Sequence, residues 1–218
     1  MLLLRSPAVY RPQGDTWFLA DAFRNETLNA GTRVLDLCTG TGALAVAAAR
    51  HGAGRVTAVD ISRRAVVATW VNTRCRGLDV RVLQGDLLEP VAGESFDVIL
   101  SNPPYVPAVD DRLPTGGVAR SWDAGTDGRA VLDRICVEAP SHLAPGGVLL
   151  LVFSSVCGED VTVGQLEAAG LDAEVIGRCV EPFGPVMTAR AQLLEERGLV
   201  APGQRYEELV VVRAQSPG

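Results

Sequence analysis

The stretch that decides the fold covers ten residues and reads Arg33-Val34-Leu35-Asp36-Leu37-Cys38-Thr39-Gly40-Thr41-Gly42. Its first half is a short, mostly apolar strand, and the alanine-rich segment that follows predicts a helix over 42–51. Glycine is needed where a chain turns sharply, or where its backbone must approach a ligand without a Cβ in the way. The first N–H groups of the following helix have no partner within it, so they are available to a ligand. The stretch therefore predicts a strand, a tight loop and a helix around a small-molecule site.

The rest of the chain alternates between strand and helix patterns. Strands are predicted over 33–37, 55–59, 79–83, 96–100, 147–153, 172–176 and 207–213. Helices are predicted over 16–28, 42–51, 62–76, 127–142, 160–169 and 188–197. This alternation predicts an α/β fold with a doubly wound, seven-stranded and mostly parallel sheet that carries helices on both faces. The last strand follows a long excursion, which predicts a C-terminal antiparallel edge strand in a hairpin beside the fifth strand.

The 218 residues are predicted to form a single domain, because no repeat, low-complexity segment or linker interrupts them. Residues 1–30 are predicted to form an N-terminal cover segment, with a helix that lies over the cofactor end of the sheet. No apolar run reaches the length of a membrane span, and the apolar start is too short for a signal peptide. A cytoplasmic protein without membrane attachment is the expectation.

Charge and cysteine content restrict the function classes. The formal net charge is −6, whereas proteins that bind phosphate backbones usually carry a basic face, so broad nucleic-acid binding is disfavoured. The five cysteines never approach a C-x-x-C spacing, and their number is odd. Neither a zinc site nor a disulfide framework is therefore indicated, and no metal is expected.

An acidic residue lies at the end of each of the first three predicted strands: Asp36, Asp60 and Asp86. Such a set favours a cationic ligand, and S-adenosylmethionine is positively charged at both its sulfur and its amine. Asp36 is placed to accept from the ammonium group of the methionine moiety. Asp60 is placed to accept from both ribose hydroxyls, and Asp86 to lie near the adenine amino group.

The same loop also satisfies the fingerprint of a dinucleotide-binding site. Gly40, Gly42 and Ala45 have the G-x-G-x-x-G/A spacing, and an acidic residue follows about 20 positions on. That site must accept a doubly charged pyrophosphate, which an acid just before the loop would repel. A nucleotide-dependent oxidoreductase stays open as an alternative at this point.

A second motif follows the fourth predicted strand and reads Asn102-Pro103-Pro104-Tyr105. The prolines have no N–H and a fixed φ, so the backbone here is stiff and its carbonyl groups remain free to accept. The side-chain oxygen of Asn102 and the carbonyl of Pro103 can converge on one –NH₂ group, and the ring of Tyr105 offers a stacking surface. The motif therefore predicts an acceptor site for a planar nitrogen, where catalysis consists mostly of positioning and preorganised electrostatics. The long loop over 106–126 that follows is predicted to be functional or mobile.

With these motifs in view, the chain resembles the HemK-type glutamine methyltransferases, which are S-adenosylmethionine-dependent enzymes with a Rossmann-like fold. It is most similar to the short branch that modifies the release factor of archaea and eukaryotes. The resemblance extends from the segment Val9-Tyr10-Arg11-Pro12-Gln13-Gly14-Asp15-Thr16 to the tryptophan, glycine and arginine–aspartate pattern at Trp122, Gly125, Gly128, Arg129 and Asp133. It implies a protein substrate, such as a release factor, and a small zinc-binding activator subunit as a partner.

The predicted site has two parts. The donor-binding residues are Thr16, Asp36, Cys38, Gly40, Gly42, Asp60, Ile61, Asp86, Leu87 and Asn102. The catalytic residues are Asn102, Pro103, Pro104 and Tyr105.

The chain departs from the family pattern at two places. Cys38 occupies a position where the family commonly has glycine, which is expected to narrow the space beside the methionine tail. Gln13-Gly14 stands where the family has an acid two residues after the proline.

Other functions remain compatible with the sequence. The Asn-Pro-Pro-Tyr motif also occurs in adenine amino-methyltransferases that act on DNA or RNA, and four arginines around the long loop could form a small basic rim: Arg112, Arg120, Arg129 and Arg134. Methylation of a small-molecule nitrogen, or a non-catalytic donor-binding subunit, are further alternatives.

Overall fold

A computed structural model describes residues 3–4 and 9–218 of the chain. Positions 1–2 and 5–8 of the predicted cover segment lie outside the described residues. The strands of the sheet are β1 (Arg33–Leu37), β2 (Arg55–Asp60), β3 (Val80–Gln84), β4 (Phe96–Ser101), β5 (Leu143–Ser154), β6 (Asp172–Pro182) and β7 (Tyr206–Gln215). They form one seven-stranded sheet in the order β3-β2-β1-β4-β5-β7-β6. The predicted fold class is confirmed.

Seven α-helices accompany the sheet in the described part of the chain. They are α1 (Gly14–Phe23), α2 (Ala43–Arg50), α3 (Arg63–Arg74), α4 (Leu132–Glu138), α5 (Glu159–Ala168), α6 (Pro185–Ala189) and α7 (Ala191–Glu196). Ser62 caps α3 by accepting from the backbone N–H of Ala65 at 3.5 Å. None of the helices in the described residues is long and apolar enough to cross a membrane.

The central strands of the sheet are apolar on both faces because helices cover both. Along β5, Leu149 and Leu151 pack into one apolar cluster, while Leu150 and Val152 pack into the other. The first cluster contains residues of α4 to α7, and the second contains residues of α1 and α2. Side chains alternate between the faces of a strand, so a strand buried on both sides reads as a continuous apolar run.

The strand order determines where a ligand can bind. β2 and β3 are added outward on one side of β1, and the chain then crosses to form β4 on its other side. In open α/β sheets, ligands bind beyond the carboxyl ends of the strands at this switch in direction. The loops that follow β1 and β4 therefore face a common cleft.

The C-terminal hairpin differs from the prediction in one detail. β7 is antiparallel, as predicted, but it lies between β5 and β6, so β6 forms the edge of the sheet. The inner position suits the sequence of β7, because Val210, Val211 and Val212 are fully buried. By contrast, β6 alternates exposed and half-buried residues over most of its length, as expected of an edge.

Three helices differ from their predicted bounds by more than two residues. The helix predicted over 127–142 begins only at Leu132, because Gly128 has a positive φ of 77° and Arg129 turns its buried side chain inward. The helix predicted over 188–197 is interrupted at Arg190, which separates α6 from α7. The first helix starts and ends earlier than its predicted range of 16–28.

Candidate active site

The cleft at the switch point consists of two adjoining cavities. The first is lined by residues of α1, the loop after β1 and the Asn-Pro-Pro-Tyr motif. The second is lined by residues that follow β2 and β3. Cys38, Asp60, Pro104 and Arg120 line both cavities, so the two form one continuous site.

The loop after β1 has the conformation that its glycines predict. Gly40 and Gly42 have φ angles of 57° and 81°, in the left-handed region. A Cβ on Gly42 would lie 2.8 Å from the Cγ2 atom of Thr69, so this position has no room for a side chain. The Thr69 hydroxyl donates to the backbone oxygen of Gly40 at 3.1 Å and ties the loop to α3.

Cys38 has the same backbone conformation without being a glycine. Its φ is 59°, a value that costs an L-residue with a Cβ about 1–2 kcal/mol. Its side chain lies where the two cavities meet. Burial, together with the negative charges of Asp60 and Asp36, raises the pKa of the Cys38 thiol, so it stays protonated. That Cys38 narrows the space beside the methionine tail stays a prediction.

Asp36 lies beneath the loop and does not line either cavity. It is fully buried, and one carboxylate oxygen accepts from the Thr39 hydroxyl and from the backbone N–H of Ala45 at 2.9 Å. Burial raises the pKa of Asp36 to about 7, although the two hydrogen bonds oppose this. The other oxygen of Asp36, Oδ1, is buried without a hydrogen-bond partner among the described residues, and its contact with a ligand's ammonium group stays a prediction. The contacts of Asp36 join the loop to the start of α2.

Asp60 lies at the tip of β2 and faces both cavities. Its two oxygens accept from the backbone N–H groups of Gly40 at 2.9 Å and of Ser62 at 2.8 Å. Burial raises the pKa of Asp60, and the backbone hydrogen bonds oppose this rise. The carboxylate is thus fixed in direction before any ligand arrives.

The second cavity contains the other predicted donor residues, Ile61, Asp86 and Leu87. Both oxygens of Asp86 accept from the Nη1 atom of Arg134 at 3.0 Å. This partner was not predicted, and it orients the carboxylate. Leu87 has a φ of 45°, which is unusual for a residue with a side chain. Strained backbone of this kind concentrates at functional sites.

The acceptor motif follows directly from β4, and its four residues line the first cavity. The side-chain nitrogen of Asn102 donates to the Thr16 hydroxyl at 3.1 Å. Because the nitrogen is engaged in this bond, the amide oxygen is the atom of Asn102 that can accept a hydrogen bond from a substrate –NH₂ group. Thr16 and Asn102 were predicted separately, and the structure brings them into contact.

Asp15 is a residue of the site that the prediction missed. Its side chain is 4% exposed, and one oxygen accepts from the hydroxyls of Tyr10 at 2.8 Å and of Tyr105 at 3.1 Å. The other oxygen accepts from the backbone N–H of Thr16 at 2.6 Å and from its hydroxyl at 3.2 Å. Burial and the charge of Asp15 raise the pKa of both phenols. The sequence signal that could have indicated Asp15 was its position as an acid directly before the predicted helix over 16–28.

The backbone of the motif is also held from behind. The Cys157 thiol donates to the carbonyl of Tyr105 at 3.0 Å. A Cβ on Gly128 would lie 2.3 Å from that same carbonyl oxygen. Trp122, from the long loop, also lines the first cavity.

The proposed basic rim does not form around Arg129. This residue is 7% exposed, and its guanidinium donates to the backbone oxygen of Gly158, to the Thr162 hydroxyl and to Asp133. It was assigned to the rim from its position in the sequence alone, which does not show burial. Of the four arginines, Arg120 and Arg134 line the cleft, and Arg134 is paired with Asp86.

Comparisons with known proteins identify the family of the chain. Residues 12–115 match the family described as the methyltransferase small domain. A relative in Methanocaldococcus jannaschii, which is a protein N5-glutamine methyltransferase by assigned name, is 35% identical over 185 residues, which cover 85% of this chain and 92% of that protein. The release factor glutamine methyltransferase of Gloeobacter violaceus is 38% identical over 172 residues, covering 75% of this chain and 59% of that protein.

A solved structure gives the same result for the fold. The E. cuniculi Mtq2–Trm112 complex, responsible for methylation of the eRF1 translation termination factor, superimposes with a TM-score of 0.64 at 23% identity. The match covers 96% of this chain and 99% of the solved one. Sheet, cleft and motif together define a methyltransferase with a Rossmann-like α/β fold. The chain belongs to the family of protein glutamine methyltransferases.

Proposed function

We propose that the chain transfers a methyl group from S-adenosylmethionine to the side-chain amide nitrogen of a protein glutamine, in a release factor or a similar protein. The observation that carries this proposal is the orientation of Asn102 at the cavity wall, where Thr16 occupies its amide nitrogen. Its oxygen is thereby left to accept from a planar –NH₂ group. A glutamine amide is such a group, and the named relatives act on glutamine.

The residues around the loop fit S-adenosylmethionine as the donor. Gly40 lines the first cavity and has no side chain, so a ligand there can approach the backbone of this turn. Asp60 would accept from the ribose hydroxyls, and the second cavity, with Ile61 and Leu87, would enclose the adenine. Acidic groups near a cationic ligand favour its binding. When bound, the donor supplies an electrophilic methyl group on a positively charged sulfur.

The acceptor motif supplies the positioning that this reaction needs. An amide nitrogen is a poor nucleophile because its lone pair is delocalised into the carbonyl. The oxygen of Asn102 and the carbonyl of Pro103 would accept from its two hydrogens, which increases the electron density on nitrogen and holds it in line for attack. Tyr105, fixed by its bond to Asp15, would form the wall beside the amide plane.

No histidine assists the reaction in this proposal. Neither His51 nor His142 lines the two cavities that form the cleft in the described part of the chain. His51 instead packs edge-on against the ring of Phe23. The proton of the methylated amide would leave to water after transfer, so a strong general base is not required.

Three further predictions accompany this function. A small activator subunit is proposed as a partner, because a related fold is known in the Mtq2–Trm112 complex. A cytoplasmic location is proposed because release factors act there. The chain is proposed to act as a single domain.

The function is tested by incubating the purified chain with labelled S-adenosylmethionine and a release factor that carries a Gly-Gly-Gln sequence. A candidate activator subunit is added in a parallel reaction. We expect label at the glutamine, located by mass spectrometry of the peptide, and its loss when that glutamine is replaced by glutamate. Label that appears only in RNA, DNA or a small-molecule extract would contradict the proposal and favour an alternative acceptor. Donor binding without labelling of any acceptor would indicate a non-catalytic subunit.

A further inference from the structure

The segment that follows the acceptor motif is a loop whose two ends are bonded to each other. The backbone N–H of Val106 donates to the carbonyl of Trp122 at 2.7 Å, and that of Ala124 donates to the carbonyl of Val106 at 3.2 Å. One step further along, the N–H of Ala108 donates to the carbonyl of Gly125 at 2.7 Å. We refer to 106–108 and 122–126 as the neck of this loop. Residues 109–121 form the part that extends beyond it.

Arg190, at the break between α6 and α7, connects both sides of the neck. Its Nη1 atom donates to the carbonyl of Pro107, on the outgoing side, at 2.9 Å. Its Nη2 atom lies 2.6 Å from the carboxylate of Asp123, on the returning side. The side chains of this ion pair are only 20% and 14% exposed. The pair is therefore shielded from water and from salt more than a surface pair would be.

Arg197, which directly follows α7, makes a similar connection one step outward. Its Nη1 atom donates to the carbonyls of Ala108 at 2.6 Å and of Thr126 at 3.0 Å. Its Nη2 atom donates to the carbonyl of Val109 at 2.7 Å. A guanidinium presents five N–H donors in a rigid plane, and a lysine ammonium does not reproduce this geometry.

The braced loop forms walls of the cleft. Arg120 and Trp122 line the first cavity, while Leu113 and Pro114 line the second. Trp122 belongs to the neck itself and is bonded to the residue that follows Tyr105. The position of this wall relative to the acceptor motif therefore depends on the neck.

We propose that Arg190 and Arg197 are positioning residues that hold the loop as the acceptor-side wall of the active site. They do so from the excursion between β6 and β7, a part of the chain that does not itself line either cavity of the cleft. The link to the acceptor rests on the proposed function, whereas the bracing of the neck does not. In the neck, Val106 and Trp122 line the first cavity, whereas Asp123 and the outer residues Leu113 and Pro114 border the second. The donor residues Asp60, Asp86 and Leu87 lie at strand ends outside the braced loop, so we expect bracing to affect the acceptor more than the donor.

The first test measures hydrogen exchange in the free protein. In Arg190→Ala and Arg197→Ala variants, we expect the amides of Ala108 and Ala124 to exchange at least about tenfold faster, with exchange in β4 and β5 unchanged. The milder Arg197→Lys variant, which keeps the charge, should show the same direction of change, because one ammonium nitrogen does not reproduce the planar arrangement in which two guanidinium nitrogens contact three carbonyls. Arg205→Ala is the matched control, since Arg205 lies in the same excursion and pairs with Glu195 instead. Unchanged exchange in the neck in all three variants would overturn the proposal.

The second test measures kinetics with the release factor. We expect the KM for the acceptor to rise about tenfold in the alanine variants, while donor affinity measured by calorimetry changes less than about threefold. A purely structural role would instead lower the amount of folded protein and leave both constants of the folded fraction unchanged. That outcome, or a larger loss for the donor than for the acceptor, would overturn the proposal. If the wild-type chain transfers no methyl group, the proposed function fails, and the exchange experiment still decides whether the arginines brace the neck.

Discussion

The orientation of a single amide connects two segments that are far apart in the sequence. Asn102 donates to Thr16, 86 positions earlier in the chain, and Asp15 accepts from both Thr16 and Tyr105. A carboxylate that is itself fixed by several donors restricts the rotamers of the groups it binds. The acceptor motif is therefore preorganised by the first turn of α1.

Removing the Asn102 amide should affect turnover and not donor binding. We expect Asn102→Ala to lower the rate of methyl transfer by about 10²–10³-fold, because a positioned acceptor of the transition state is lost. Donor affinity should stay within about threefold. Thr16→Val, which removes the hydroxyl that orients the amide and that bonds to Asp15, should cause a smaller loss, of about tenfold. Single-turnover kinetics and calorimetry would measure both effects.

Asn25→Ala provides the control, because Asn25 is exposed and borders a different groove. It should leave rate and affinity unchanged. Near-normal turnover in Asn102→Ala would show that the acceptor assignment is wrong.

The backbone at Cys38 predicts an unusual preference for glycine. An L-residue in the left-handed region costs about 1–2 kcal/mol, whereas glycine costs only about 0.5–1 kcal/mol of chain entropy relative to alanine. Cys38→Gly should therefore have a free energy of unfolding about 0.5–1 kcal/mol higher than Cys38→Ala, as measured by urea denaturation. At Ala47, inside α2, alanine should be the more stable residue, and the free energy of unfolding of Ala47→Gly should be about 1 kcal/mol below that of the wild type. A Cys38→Ala variant as stable as Cys38→Gly would show that the position is not strained.

Sequence reasoning at this scale located the acceptor motif and the glycine loop, because both depend on local backbone chemistry. It did not show that Asp36 is buried beneath the loop, and the contact of Asp36 with the ligand stays a prediction. It also placed Asp86 without its partner Arg134. Which side of a loop a carboxylate faces, and which distant arginine reaches it, depend on tertiary packing and not on spacing along the chain.

At the scale of elements, Asp36 forms the joint between β1, the loop and α2. Its folded-state pKa of about 7 lies above the ordinary value of 3.8 because of burial. Between these values the folded protein binds more protons than the unfolded chain, so this group makes the free energy of unfolding fall as pH rises. Its contribution is fully present below the unfolded pKa and is lost as pH rises through the folded one.

The Asp36→Asn variant should remove this dependence while keeping an oxygen for Thr39 and Ala45. Urea denaturation of both proteins at about pH 5 and about pH 8 would measure it. We expect the wild type to lose stability relative to the variant as pH rises. Parallel stability profiles would show that Asp36 does not titrate in this window.

The boundaries of elements were predicted well where turn chemistry marks them, as at β1, whose predicted and observed bounds agree. They were predicted less well where side chains override helical pattern. Arg129 and Arg190 each lie in a predicted helix, yet each leaves helical geometry and uses its guanidinium to connect distant segments. The prediction ended β6 at Ile176, because Gly177 and the charged residues after it resemble a turn. The observed strand runs six residues further.

At the scale of the whole molecule, the order of strands brings four separate loops to one cleft. This arrangement was predictable, because alternating strands and helices in a parallel sheet place every strand end on the same edge. The inner position of β7 and the edge position of β6 were not predictable in the same way. Either strand of a hairpin can occupy the edge, and the choice depends on which one buries more apolar surface.

The ligand class should be visible in the stability of the whole protein. At a concentration about 100-fold above its Kd, S-adenosylhomocysteine should raise the free energy of unfolding by about 2.7 kcal/mol. For a chain of this size, this corresponds to an increase in Tm of about 5–11 °C. NADH at the same concentration should leave the Tm unchanged. A larger increase with NADH would favour the dinucleotide alternative over a methyl donor.

The most direct measurement is a crystal structure of the protein with S-adenosylhomocysteine and a peptide that contains Gly-Gly-Gln. The predicted result places the glutamine amide nitrogen within about 3 Å of both the Asn102 side-chain oxygen and the Pro103 carbonyl, with the amide plane beside Tyr105 and the demethylated sulfur in line. A glutamine that lies outside the first cavity, or a pocket beside Tyr105 that accepts only a purine ring, would contradict methylation of glutamine.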